Sequence, residues 1–579
     1  MITTVRVKPV AATVMMICAS PSAQAFEAIE FGNGVSLETR VNVTYTLSGR
    51  MEDADPLLVS ASGSNDGDNN FDDGALTGNR LALLFDGKLS KPLSGGGDMG
   101  FVLSASTFYD DVYQHANDND KGSGLPGAGY NPNGVNKEPP FDEFTNGAER
   151  YHGGYSRLLD AYAYGRFDIG GSRLSARLGR QVVSWGEALF FPGISLAQGP
   201  ADGTKSNIPG TETKDLLLPE DQVSFSLEVT PGWSLLAHWQ FGFQETLAPA
   251  PGSYLNTSDA VGPGGKCLGP WVSLPAVPGV FAGYSGCSFG IRGEDIEPSA
   301  TGQWGLGTRY RITDATEVGL YYLNYGDRTP VPEINAFTPG TAVPDFFGIP
   351  GNQIGNGSYR VRYFEDVELI GATFSTSLGL VTVAGEVSYK DGAPVLVNTV
   401  VNPATGATIP NPTEGKVTQV NLNAFANFGR TRLAPQTVLL GEVSYVDVGT
   451  LEARKAPGVE NLPAVQQAFF PAGDDPSFDT GEAIAISATA SFGYPNLFEG
   501  WDLNLALAYS QQIEGRTLTG GVGGEGDKRY SVGFSLLRLS NLQLGLTWLG
   551  FLGDASVDLK EFRGLTDRDQ LSFVAKYSF

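Results

Sequence analysis

The chain has 579 residues and a formal net charge of −25, with 38 basic against 63 acidic side chains. An acidic excess of this size excludes a nucleic-acid partner, which would require a basic face. Mean hydropathy is −0.10 and no segment reaches the roughly 18 consecutive apolar residues of a membrane helix. Two classes stay open: a soluble exported protein, or a closed barrel that pairs every backbone group within the sheet.

The N-terminus reads as a secretory signal peptide, residues 1–25. Arg6 and Lys8 form a positive region, Pro9 to Cys18 is a short apolar stretch, and Ala23-Gln24-Ala25 is a small-x-small cleavage site. The mature chain is expected to start at Phe26 as one domain, 26–579. Cys18 raises a lipoprotein alternative, against which stands Ile17 where that pathway wants a small residue. Cys267 and Cys287 alone survive maturation, in one Gly/Pro-rich stretch. Export to an oxidising compartment favours a loop disulfide between them, and two unpaired thiols are the alternative.

Period-two alternation then runs the length of the chain. Val35, Leu37, Val41, Val43, Tyr45 and Leu47 fall on one face of the first segment. Glu38, Arg40, Asn42, Thr44 and Thr46 fall on the other. A tilted membrane strand needs about 10 such residues. The predicted strands are 34–50, 79–90, 100–110, 158–168, 173–184, 221–230, 233–243, 302–312, 316–325, 365–376, 380–390, 416–428, 437–447, 482–493, 501–511, 528–538, 541–551 and 569–579. This is an all-β, transmembrane antiparallel barrel of about 18 strands, with 16 as the second count. Long connections (51–78, 111–157, 185–220, 244–301, 326–364, 391–415, 448–481) alternate with short ones such as Pro231-Gly232. That is the pattern of extracellular loops and periplasmic turns. Tyr and Trp near strand ends suit the headgroup level. The terminal Phe579, with apolar residues at every second position before it, resembles the signal read by the barrel-assembly machinery of the outer membrane.

Several strings resemble a family of outer-membrane proteins, the domain of unknown function 1302 (DUF1302) family. They are SNDGDNNFDDG at 64–74, LLDAYAYGRFD at 158–168, LGRQVVSWGEALFFPGI at 178–194, PGSYLNTSD at 251–259 and YFEDVELIGATFS at 363–375. The resemblance implies an outer-membrane barrel working beside inner-membrane or periplasmic systems that move hydrophobic compounds. It supplies no substrate and no site.

Site candidates come from parity. Arg40, Arg80, Arg177, Arg309 and Arg311, with Glu38, Asp86, Asp160, Glu386 and Glu442, fall on the polar, pore-lining side of their strands. Separated rows of opposite charge would orient a solute; pairing across the lumen, bracing the barrel, is the alternative. Strict alternation from Leu174 and Leu178 places Arg180 on the lipid side, where a mid-bilayer charge costs roughly 2–4 kcal/mol. A bulge at Gly179 or a position above the rim resolves this. Arg180, Trp185, Phe190 and Phe191 are then candidates for an inward constriction, with an aromatic girdle and ordinary loop as the alternative. Asp66, Asp68 and Asp72 offer a weak calcium site, since Phe71 replaces the glycine an EF-type loop needs. His115, His152 and His238 are the only histidines and have no recognisable catalytic partner, and the Gly-rich runs at 122–128 and 518–525 lack a phosphate-loop lysine. No enzyme activity and no cofactor are expected. The leading function is passage of a small organic solute, hydrophobic or amphipathic, across the outer membrane. The alternatives are a plugged barrel that docks other envelope proteins, and a general diffusion porin.

Overall fold

The computed structural model describes residues 28–119, 136–274, 284–336, 357–477 and 481–579. The expected signal peptide, 1–25, lies outside them. Eighteen antiparallel strands close into one barrel, which settles the strand count in favour of the first of the two. They are β1 (Val35–Arg50), β2 (Leu76–Pro92), β3 (Gly97–Asp110), β4 (Gly154–Ile169), β5 (Ser172–Gln181), β6 (Glu220–Thr230), β7 (Trp233–Gln240), β8 (Trp304–Thr313) and β9 (Thr316–Tyr325). The second half comprises β10 (Val367–Leu378), β11 (Val381–Asn402), β12 (Ala407–Gly429), β13 (Gln436–Leu451), β14 (Glu482–Phe498), β15 (Trp501–Glu514), β16 (Lys528–Arg538), β17 (Leu542–Leu552) and β18 (Gln570–Ser578). Each pairs with its sequence neighbour, and β1 closes on β18 in the register Asn42↔Ser578 to Arg50↔Gln570. Closure leaves no unpaired edge, the condition for lying in lipid.

The two faces separate as alternation requires. Leu83, Phe101, Leu178, Leu306, Leu320, Ile370, Leu422, Phe534, Leu546 and Phe573 stand exposed on the outer face. Their strand neighbours Asn42, Thr46, Arg80, Gln222, Glu386, Asn421, Glu442 and Ser572 are buried within the lumen. At one end, strands join through turns as short as 170–171, 231–232 and 499–500; at the other they join through long loops. The connection expected at 391–415 departs from this. β11 and β12 run on beyond the belt as a tall hairpin with its tip at 403–406. A register shift between Lys390 and Ala393 resets the parity there, so a single period-two pattern does not carry across Gly392 and Pro394.

Over the loop end, L1 (51–75), L2 (111–153) and L4 (241–303) pack around Phe71, Tyr113, Phe144, Ala250 and Tyr254. Cys267 and Cys287 are joined by a disulfide in L4. The calcium candidate does not hold. Asp68 lies within 3.1 Å of Arg50 and 2.7 Å of Arg568, and Asp567 pairs with the same two arginines at 3.1 and 3.3 Å. Two guanidinium groups thus share Asp68 Oδ1, and among the described residues no group of three or more His, Cys, Asp or Glu side chains is placed to hold a metal ion. Asp66 Oδ1 instead accepts the Asn136 N–H at 2.8 Å.

Asp66 sits beside Asp259, which accepts the backbone N–H groups of Asn65 and Asp66. Burial pushes the Asp66 carboxyl up to about 7; burial, then the Asp66 charge, raises Asp259 well above the carboxylate range. A carboxyl raised in the folded state contributes stability below its unfolded value of about 4 and loses it as pH rises through its folded value. The packing of L1 on L4 is therefore expected to weaken between about pH 4 and pH 7. Hydrogen exchange in residues 58–70, corrected for the intrinsic rate, should accelerate over that window in the wild type and less so in Asp66→Asn, where Asp259 alone still titrates.

Candidate permeation path

The loop between β5 and β6 (L3, 182–219) does not rise out of the barrel but turns into it. Its first half lies on an apolar part of the lumen wall. Trp185 stacks on Tyr321 at 5.7 Å between centroids and meets His238 edge-on at 4.9 Å. Ile194 and Ala197 join Leu323, Val367, Leu369, Val417 and Val446 in one buried cluster. Each fully buried large side chain contributes about 1.5–3 kcal/mol.

Two lumen carboxylates complete the anchorage. Glu386 Oε2 accepts the N–H groups of Glu187 and Ala188 at 2.8 and 3.2 Å, and Oε1 accepts that of Ile194 at 3.1 Å. Glu442 Oε2 accepts those of Leu189 and Phe190 at 2.9 and 2.6 Å. A Cβ added at Gly186 or Gly193 would come within 2.5 Å of a Glu386 carboxylate oxygen, and Gly186 has φ +102°. Glycine lets the backbone approach that closely. From β12, on the same wall, Asn421 Nδ2 and Gln419 Nε2 donate to the Phe191 carbonyl. Arg328 of the loop 326–366 donates to the Ala197 carbonyl and pairs with Glu220 at 3.2 Å.

The second half of L3 faces β1–β4 and β18 with charges instead. Glu212 receives Arg40 at 3.2 Å and Lys576 at 2.7 Å. Lys214 bridges Asp86 and Asp160 at 2.5 and 3.0 Å. Lys205 pairs with Asp215 at 2.5 Å, and Arg157 with Asp202 at 2.7 Å. Between this half of L3 and the wall two voids remain. The upper includes Ser48, Thr77, Asp110, Tyr113 and Tyr254 in its lining, the lower Thr44, Ala82, Leu84 and Glu212. Both share Thr46, Arg80 and Ile208, so they meet at that point.

The pore-lining candidates thus divide. Arg40, Asp86, Asp160 and Arg80 collect along the void side of L3. Glu386 and Glu442 are spent on anchoring L3 from the opposite wall. Glu38 lies near Lys88 at 3.9 Å towards the turn end, Arg177 lies over Tyr162, and Arg309 donates to the Tyr321 hydroxyl. Arg311 is an exposed lumen-side residue at the turn end of β8. The charges do not form separated rows, because Glu212 and Lys214 interleave with them. Trp185 and Phe191 are buried in L3 and Phe190 is half-buried beside them.

Arg180 is no part of the constriction. The β5–β6 register is unbroken through Gly179, which keeps Arg180 on the outer face with Leu178. It forms a two-pronged pair with Asp221 at 3.0 and 2.8 Å at the last turn of the wall, and this pairing offsets the charge.

L3's Asp202, Lys205, Glu212, Lys214 and Asp215 had no signal in the sequence beyond lying in a long loop. Lys576 did have one, the polar side of the last strand.

Among solved structures, the chain is similar to OccAB4 of Acinetobacter baumannii at 9% identity, over 96% of this chain and 99% of that one, with a TM-score of 0.41. It is similar to OccK9 (OpdG) of Pseudomonas aeruginosa at 11%, over 94% and 98%, with a TM-score of 0.37. For OmpF of Salmonella typhi in complex with daunomycin the values are 10%, 96%, 100% and 0.36. No curated protein matches the chain. The sequence profile of the family described as protein of unknown function (DUF1302) matches residues 6–579, and the chain belongs to that family.

Proposed function

We propose that the protein is an outer-membrane channel that passes a small organic solute, hydrophobic or amphipathic, passively and by a narrow route. The observation that carries this reading is L3. It crosses the lumen, is pinned to one wall by Glu386 and Glu442, and leaves its two voids against the other wall. An 18-stranded barrel without such an insertion would leave a wide aqueous channel. The outer belt of exposed Leu, Ile and Phe supports the membrane location, with the turn end towards the periplasm.

Proteoliposomes carrying the refolded mature chain test the reading. They should swell in small organic acids and alcohols faster than protein-free vesicles, and stay unresponsive to oligosaccharides. Equal swelling with and without protein would remove the channel reading and favour a plugged, partner-docking barrel. Swelling in oligosaccharides would favour a general diffusion porin.

A further inference from the structure

Arg80 and Asp110 stand directly opposite each other on β2 and β3. Opposite charges so placed on one face normally pair. These do not. The Arg80 guanidinium lies over the Phe108 ring at 3.5 Å and makes no hydrogen bond or ion pair among the described residues, although the residue is 4% exposed. Asp110 uses Oδ1 for the backbone N–H groups of Asn79 and Val112, while Oδ2 accepts nothing among the described residues. The other acids near Arg80 are engaged: Asp215 with Lys205 and the Ser106 hydroxyl, Asp202 with Arg157 and Thr204. Both Arg80 and Asp110 line the upper void. So does Tyr113, whose hydroxyl oxygen accepts the Tyr254 N–H.

A buried guanidinium loses hydration it had in the unfolded chain, and at Arg80 the Phe108 ring offsets part of this while no hydrogen bond among the described residues does. A ligand that supplies acceptors there recovers that cost. We infer that the void between L3 and the β1–β3 wall is a binding site for a small organic acid that also carries a hydroxyl. Its carboxylate would lie on Arg80, its hydroxyl would donate to Asp110 Oδ2, and its apolar body would lie against Ile208 and Tyr254. A guanidinium fork suits a carboxylate, and the free Asp110 oxygen discriminates against acids that lack a donor. The inference deepens the channel reading by naming a solute class.

Isothermal titration of the folded mature protein in detergent tests it, with mandelate as probe. Phenylacetate, which lacks the hydroxyl, and 1-phenyl-1,2-ethanediol, which lacks the carboxylate, are the comparisons. The wild type should bind mandelate most tightly. Arg80→Gln should lose about tenfold or more in mandelate affinity, the value of a charged hydrogen bond, with Arg80→Lys between. Asp110→Asn should weaken mandelate by roughly threefold to tenfold and leave phenylacetate unchanged. Heat-modifiable gel migration confirms folding of each variant. An arginine that only braced the barrel would lower the melting temperature when replaced; Arg80→Gln should leave it unchanged or raise it. Mandelate binding that is absent in the wild type, or equal in Arg80→Gln, overturns the site. Loss of the site with solute flux intact leaves the channel standing; mandelate binding without flux does the reverse.

Discussion

Replacing Glu386 and Glu442 together by alanine is expected to raise single-channel conductance by roughly an order of magnitude while the barrel stays folded. The two carboxylates accept five L3 backbone N–H groups, and a hydrogen bond to a charged group is worth about 1.5–3 kcal/mol. Losing both also leaves those N–H groups without acceptors inside the lumen, which costs as much again. The apolar contacts of Trp185 and Ile194 with the wall remain, so L3 should exchange between seated and released positions rather than leave for good. The current should therefore flicker between a low and a high level. The strand ladders do not involve these side chains, so heat-modifiable migration should be unchanged. Each single replacement should have a smaller effect, and the double effect should exceed their sum, because each carboxylate holds L3 in reach of the other.

The second large effect concerns the loop end. Arg568→Ala should open the packing of L1 and L4 over the barrel. Arg568 and Arg50 share Asp68 and Asp567 in a network whose side chains are all at most 4% exposed. Arg568 also donates to the Tyr254 carbonyl of L4. Removing one member of a buried pair costs about 3–5 kcal/mol, because the partner charge stays behind without compensation. Limited proteolysis should then cut L1 near residues 57–64 at least tenfold faster, with the barrel core resistant. Arg568→Ala with Asp68→Asn should recover part of the loss, since the uncompensated charge is gone. Unchanged proteolysis in Arg568→Ala would mean that the aromatic cluster around Phe71 holds the cap by itself.

The barrel was legible in the sequence because two physical constraints act on every strand at once. Lipid demands an apolar outer row, and the span demands about 10 residues. Each of the 18 predicted strands overlaps its observed counterpart, from 34–50 against Val35–Arg50 to 569–579 against Gln570–Ser578. The tall β11–β12 hairpin was not legible. Beyond the belt no lipid imposes alternation, and Gly392 and Pro394 look like loop residues. Parity also placed Glu386 and Glu442 in the lumen, including the repeated GEVSY string at 385–389 and 441–445. It could not show what they hold, because their partners are backbone N–H groups of a loop, which carry no side-chain identity. The string 178–194 drew attention to L3, and its Gly186 and Gly193 make sense only once Glu386 is seen against them. Arg180 is the converse case. Parity alone put it on the outer face, and Asp221 across β6 explains how that face tolerates it.

In the proposed channel, solute moves between L3 and the β1–β2 wall, and not behind L3. From residue 26 on, the sequence has only Cys267 and Cys287, which are joined in a disulfide, so in a chain starting at Phe26 a single introduced thiol reports on its own position. Ala82→Cys lies on the lower void and Ser388→Cys behind L3, where the residue is 1% exposed. Flux through each variant, measured before and after a bulky methanethiosulfonate reagent, distinguishes the two routes. Block at residue 82 with no change at residue 388 is expected; block at residue 388 with residue 82 indifferent would place the route behind L3 instead.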